Sequence, residues 1–296
     1  MLPNFLIAGV SRCGTTSLYN YLKQHPEVSF PDLKEPRYFS SYNLKLPQSG
    51  PGDFSVDKKL ITSFSDYKNL YSKVEGKFVG DASSEYVYNF KSSIPEIKKR
   101  LGDVPIIIIL RNPIERSYSA FNNLVRDNRE KYSFKEALKL ESTRISKGYD
   151  EMWHYTSVSK YFEPVKAFKD EFSRVKVIIF EDFEKNIKQT LQEIVEFLGV
   201  QKTEFEFDTN KIYSKAGELK FKWISVLFGR GNPISNTLRE IVFFLFGRDK
   251  IEFIAKNLLK GKEDLNLELR NELSLLFDKD IQCLEKLLNI NLSKWK

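Results

Sequence analysis

Cysteine is nearly absent from this 296-residue chain, which has only Cys13 and Cys283. Two cysteines so far apart exclude a disulfide framework and a zinc-ligand spacing. Long hydrophobic runs are missing too. The best candidate, EIVFFLFG from Glu240 to Gly247, is far shorter than the roughly 18 apolar residues of a membrane span. The opening MLPNFLIAGV has neither the basic start nor the long apolar core of a secretory signal and reads as a buried strand. Histidine is as scarce as cysteine, with His25 and His154 alone. His25 precedes Pro26 at a helix boundary, where a structural role is expected. No collagen, coiled-coil or low-complexity signature and no internal repeat is found. These absences leave a soluble, cytoplasmic protein without a bound metal as the expectation.

Apolar residues make up 41% of the chain and aromatic residues 14%, enough for a sizeable core. The net charge of +7 favours an anionic ligand or partner but is equally compatible with a merely basic surface. Four apolar, β-branched-rich runs read as buried strands: FLIAGV (5–10), KFVGD (77–81), VPIIIIL (104–110) and VKVIIFE (175–181). Helical patterns separate them. Leu18, Tyr21 and Leu22 share one face, residues 92–100 follow with Pro95 near the helix start, and Asn112 and Pro113 have N-cap and first-turn chemistry ahead of IERSYSAFNNLVRDN. The helix after the fourth run is ended by Gly199. This alternation predicts an α/β fold, three layers resembling P-loop proteins, with a central parallel sheet flanked by helices. Ligands of such sheets gather at the carboxyl ends of the strands. The chain is read as one domain, 1–296, with a core over 1–220 and a helical C-terminal extension over 221–296. The Gly/Pro/Ser-rich segment 43–58 is expected to be a mobile loop.

One stretch carries chemistry. GVSRCGTT (9–16) gives a glycine, four residues, a second glycine and then hydroxyl residues opening a helix. That is the frame of a phosphate-binding loop, in which unpaired amides and the positive helix end converge on an anion. Yet Thr15 stands where a nucleotide hydrolase carries lysine, and a cation, Arg12, sits earlier. The third strand ends in Arg111, not in a magnesium-holding aspartate. Glu181 and Asp182 could imitate such a strand end, but an acidic pair before a helix more often caps it. A site without magnesium suits an ester less charged than a triphosphate, neutralised by protein cations.

With these residues the sequence resembles the sulfotransferases that use 3′-phosphoadenosine 5′-phosphosulfate (PAPS), and within them the branch of heparan sulfate enzymes and bacterial relatives. SRCGTTSLYNYLKQHP is similar to the family's 5′-phosphosulfate loop. The resemblance implies that Arg12 meets the bridging oxygen and that Cys13, Gly14, Thr15, Thr16 and, more weakly, Ser17 hold the 5′-phosphate. RNPIERSYSAF resembles the 3′-phosphate motif, implying that Arg111 and Ser119 grip that phosphate, while Arg116 is expected in solvent and Tyr118 in the core. LKEPRYFS resembles the segment whose glutamate is the general base, implying Glu35 in that role; without the resemblance it would read as a cap or surface residue. YSKAGELKFKW resembles the loop that closes over the nucleotide, which implies Lys215 and Gly217.

The sequence also departs from the family. Arg37 replaces a histidine, and Ala82 stands where glycan-type relatives often carry lysine, leaving Arg37 or Lys34 to substitute. Trp153 and His154, with Arg37, are candidates for the acceptor side, and the segments 43–58 and 120–160 are expected to shape its pocket. The implied function is transfer of a sulfuryl group from PAPS to an acceptor hydroxyl, on a saccharide or glycolipid, without a metal. Two other readings stand beside it: a phosphate-loop ATP-dependent kinase, and a basic nucleic-acid binder for which no recognition motif is present. The stripe Ile241, Phe244 and Leu245 reads as core, with peripheral membrane contact as the lesser alternative.

Overall fold

The structure is a computed structural model that describes residues 1–200, 205–210, 218–219, 259–260 and 265–295. Lys215, Gly217 and the Ile241–Phe244–Leu245 stripe lie outside the described residues.

The chain opens with β1 (Phe5–Gly9), a loop, and α1 (Thr15–Leu22). Next come β2 (Val28–Ser29), a 3₁₀ turn over Tyr38–Asn43, α2 (Phe54–Asp57), α3 (Phe64–Leu70) and β3 (Phe78–Ala82). Then follow α4 (Phe90–Leu101), β4 (Ile106–Leu110), α5 (Pro113–Arg126) and α6 (Phe134–Ser146). A second 3₁₀ turn, Glu151–Trp153, leads to α7 (Phe162–Glu171), β5 (Val175–Ile179), α8 (Phe180–Lys185) and α9 (Ile187–Leu198). Two short strands, β6 (Glu218–Leu219) and β7 (Leu259–Lys260), pair antiparallel, and α10 (Leu267–Leu288) precedes a last turn at Ser293–Trp295.

The first five strands form a parallel sheet in the order β2-β3-β1-β4-β5. Every residue of β1 and β4 is buried. That explains their unbroken apolar runs, because helices cover both faces of an inner parallel strand. From β1 the chain crosses to the edge strand β2, returns to β3 beside β1, and then builds β4 and β5 on the other side of β1, so the direction switches between β1 and β4, where such sheets open a crevice. The loops that leave these two strands are the phosphate-loop sequence and the Arg111 segment.

The structure departs from the sequence reading in several places. The two-residue β2 is an added edge strand, too short for a periodicity signal. The fourth run turns helical at Phe180, so Glu181 and Asp182 belong to α8. Helix α4 starts at Phe90, which places Pro95 inside it and not near its start. Segment 43–58 is tethered: Asp53, fully buried, pairs with Arg129 and accepts hydrogen bonds from the Gly50 and Asp150 amides and the Trp153 indole.

The end of the chain is docked on the core. Asp280 of α10 accepts from the Tyr161 and Phe162 amides at 2.8 and 3.2 Å, capping α7. Arg270 pairs with Glu115 of α5 at 2.6 Å. No helix among the described residues is long and apolar enough to cross a membrane. Phe277 is fully buried on α10, whereas Leu275 is 80% exposed. Phe277→Ala is therefore expected to cost about 3–5 kcal/mol in denaturant unfolding. Leu275→Ala is expected to stay within about 0.5 kcal/mol, and equal effects would contradict the docking of α10.

Candidate active site

Gly14 is the hinge on which the first loop turns. Its φ of +93° is left-handed, and a Cβ there would lie 2.7 Å from the Phe180 ring, so both the conformation and the space require glycine. Helix α1 starts immediately after it with no side-chain cap and no acidic residue in its first turn. The amides of Thr15, Thr16 and Ser17 thus open onto the carboxyl edge of the sheet, where a helix start attracts an anion. Thr15 is buried and Thr16 half-buried. Cys13 contributes backbone only: its buried thiol faces Tyr161 Oη at 3.9 Å, and burial pushes it up to about 11.

Cations collect around this opening. Arg12, itself left-handed at φ 69°, donates from Nε and Nη2 to Ser119 Oγ, both at 3.3 Å. Arg111 donates from Nη1 to the Arg12 carbonyl at 3.2 Å, and its guanidinium lies 4.9 Å from the Phe180 ring centre. The structure therefore brings Arg12, Arg111 and Ser119 together beside Gly14. Neither Arg12 nor Arg111 forms an ion pair within 4 Å among the described residues. Burial, followed by the charges of Arg126 and Arg111, pulls the Arg12 guanidinium down to about 10.

Arg111 is positioned by its neighbours. Asn112 caps α5 through the Ile114 and Glu115 amides, with Pro113 in the first turn, as the sequence implied. Glu181 accepts the Asn112 amide at 2.9 Å and the Trp295 indole at 3.3 Å.

Arg116 corrects the sequence reading. It is not in solvent but fully buried. It donates to Ser11 O and Ser11 Oγ at 3.1 and 2.9 Å, and to the His154 and Tyr155 carbonyls at 3.3 and 3.1 Å. The signal was available, since Arg116 lies three residues before Ser119 and so shares its helix face. Tyr118 is buried, as expected.

Glu35 stands across β1 from Arg111. Its left-handed backbone, φ 61°, is bonded through its amide to the carbonyl of Ala82 at the end of β3. Its carboxylate accepts from Lys34 Nζ at 2.6 Å and Ser84 Oγ at 3.2 Å. Burial alone would raise the carboxyl, but Lys34 and Arg37 outweigh it and hold it below the ordinary glutamate value. Lys34 is thus the cation in contact with Glu35.

Arg37 is buried and pairs with Glu85 and with Asp150, the latter at 3.0 Å. His154 faces Tyr88 Oη through Nδ1 at 3.1 Å. Trp153 is sealed in the core by its bond to Asp53, which leaves it no face for an acceptor. Arg37 and His154 meet in a cleft that Leu44, Gln48, Tyr88 and Tyr149 help to line. Segments 43–58 and 120–160 both contribute to it. Glu85, Asp150 and Glu151 line it as well and were not singled out in the sequence, where a lone acidic residue carries no signal.

The profile of the sulfotransferase domain matches residues 2–282. The chain belongs to the sulfotransferase domain family. A sulfotransferase from Alicyclobacillus acidocaldarius, known from its crystal structure, is 32% identical, with a TM-score of 0.79 over 100% of this chain and 99% of that one. Carbohydrate sulfotransferase 15 of Mus musculus is 24% identical over 248 residues, 67% of this chain and 44% of that protein. The human bifunctional heparan sulfate N-deacetylase/N-sulfotransferase 2 is 30% identical over 131 residues, 41% of this chain and 13% of that protein. The chain thus spans less than half the length of these curated relatives.

Removing the buried Arg116 guanidinium would take a donor from three carbonyls, those of Ser11, His154 and Tyr155, and from the Ser11 hydroxyl. Arg116→Met is expected to lower unfolding free energy by about 2–4 kcal/mol, since an unsatisfied buried polar group costs about 1–3 kcal/mol. Calorimetric melting would check this, and an unchanged melting temperature would contradict it.

Proposed function

We propose that this sulfotransferase family member moves a sulfuryl group from PAPS to an acceptor hydroxyl on a saccharide or glycolipid, by in-line displacement with Glu35 as general base. One observation carries the reading. An uncapped helix start ringed by Arg12, Arg111 and Ser119 lies on one side of β1, and a fixed carboxylate lies on the other. The cationic ring suits a nucleotide with separate phosphate groups and needs no metal to neutralise it. Among the described residues, no three His, Cys, Asp or Glu side chains converge on a metal position.

The amides around Gly14, Thr15 and Thr16, with the threonine hydroxyls, would hold the 5′-phosphate, and Ser17 would add to them. Arg111 and Ser119 would hold the 3′-phosphate, the guanidinium by its planar fork. At the reacting centre, the acceptor O–H gives its proton to Glu35 as its oxygen bonds to sulfur. The bond from sulfur to the phosphate oxygen breaks at the same time. Arg12 would stabilise the charge growing on that leaving oxygen, a role whose loss typically costs about 100- to 1000-fold in rate. Lys34, already on Glu35, supplies a cation on the side where Ala82 lacks one. The carbohydrate and heparan sulfate sulfotransferases among the relatives support a saccharide acceptor. The absence of a lysine at Thr15 and of an aspartate at Arg111 weighs against an ATP-dependent kinase.

Calorimetric titration with 3′-phosphoadenosine 5′-phosphate tests the donor site. Arg111→Ala is expected to weaken its binding by about 2–4 kcal/mol, as for a charged hydrogen-bonded pair that loses one partner. Unchanged affinity would misplace the 3′-phosphate. Glu35→Gln is expected to reduce turnover by about 100- to 10,000-fold, the usual contribution of a general base, while leaving nucleotide affinity intact. The carboxyl of Glu35 is held below its usual range, so the base is ionised above that range and loses activity only as pH falls through its lowered value. The acid limb of kcat/KM is thus expected below the ordinary glutamate pKa, and a limb near neutrality would reassign the base.

A further inference from the structure

The cleft lined by Arg37 and His154 contains buried polar atoms without a hydrogen-bond partner among the described residues. Among the described residues, neither oxygen of Glu151 has a hydrogen-bond partner, nor does His154 Nε2 or Gln48 Oε1. Yet Glu151 is 6% exposed and His154 8% exposed. Such groups cost stability when left unmet, and in native proteins they call for a specific explanation. Both line the same cleft, so a ligand that enters it can supply what they lack.

The chemistry of that ligand follows from the atoms. An ionised carboxylate and an amide oxygen only accept hydrogen bonds, and His154 Nε2 accepts as well when Nδ1 carries the proton and donates to Tyr88 Oη, so the ligand must donate. The charge balance points the same way. Three carboxylates, Glu85, Asp150 and Glu151, surround Arg37, whose guanidinium pairs with the first two. Arg116, the next guanidinium, is bonded to carbonyls and to Ser11. Among the described residues, Glu151 is left without a cation in contact. The rings of Tyr88 and Tyr149 add faces that attract positive charge. A protonated primary amine has three donors, one positive charge and no lone pair to satisfy. A neutral polyol could meet the acceptors but would leave the carboxylate charge unbalanced and would itself need donors.

We propose that this cleft is the acceptor subsite and binds a protonated primary amine, so that the acceptor is an amino alcohol or amino sugar whose neighbouring hydroxyl faces Glu35. The inference rests on the sulfuryl-transfer reading above. The subsite adjoins both halves of the proposed reaction. Arg37 follows Glu35 by two residues, and Arg116 joins the His154 backbone to Ser11 in the phosphate loop. Burial, with Asp150 adding to it and Arg37 opposing, pushes the Glu151 carboxyl up to about 7, which an arriving ammonium would reverse.

Ligand-observed NMR on the full chain, saturated with 3′-phosphoadenosine 5′-phosphate, tests this with two probes of matched size, ethanolamine and ethylene glycol. Ethanolamine is expected to bind at least about tenfold more tightly, the scale of a hydrogen bond to a charged group. Glu151→Gln should erase that preference, Glu151→Asp should retain it, and both should bind the nucleotide as the wild type does. Equal binding of the two probes by the wild type overturns the proposal without recourse to any variant and marks the cleft as a polyol site. A preference that survives in a folded Glu151→Gln protein also overturns it. If the nucleotide binds normally in either case, the donor-site reading stands. If the wild type does not bind the nucleotide, both readings fall together.

Discussion

A single buried guanidinium holds the architecture of the site together. Arg116 reaches from α5 to the backbone of the phosphate loop at Ser11 and to the backbone of the 154–155 turn. The first contact fixes the loop after β1 and the second fixes a wall of the cleft. Its partners are neutral carbonyls and a hydroxyl, and its charge adds to the positive field felt by Arg12.

Charge is sorted across β1. Arg12, Arg111 and Arg116 lie toward β4, where the loop amides also point. Glu35, Glu85, Asp150 and Glu151 lie toward β3 and the cleft, with Lys34 and Arg37 set among them. The mechanism proposed above would use such a division, with positive charge on the leaving side and a carboxylate on the side that takes the proton. In a water-poor interior, fixed charges of this kind act with little reorganisation. The mutual repulsion of the arginines is a cost of folding that a bound polyanion would offset.

Much of this was legible in the sequence, and the reasons differ from element to element. The inner strands announced themselves because strands buried on both faces must be apolar throughout, as in IIIIL of β4. The cap at Asn112 and the turn at Gly14 were legible because each position tolerates few residue types. Edge strand β2 was not, since two residues carry no periodicity. Glu85, Asp150 and Glu151 were not, because their importance comes from a convergence of three chain segments around Arg37. Arg116 was misread as solvent-exposed because charge was weighed ahead of helical phase. Trp153 was assigned to the acceptor by composition, whereas its indole serves Asp53 in the interior.

Glu181 ties distant parts of the chain to one another. One of its oxygens holds the amide beside Arg111, and the other holds the indole of Trp295. A tryptophan 184 positions beyond Arg111 in the chain thereby braces the strand exit from which that arginine emerges. Substitutions near residue 295 are consequently not peripheral: through one carboxylate they reach the turn from which Arg111 emerges.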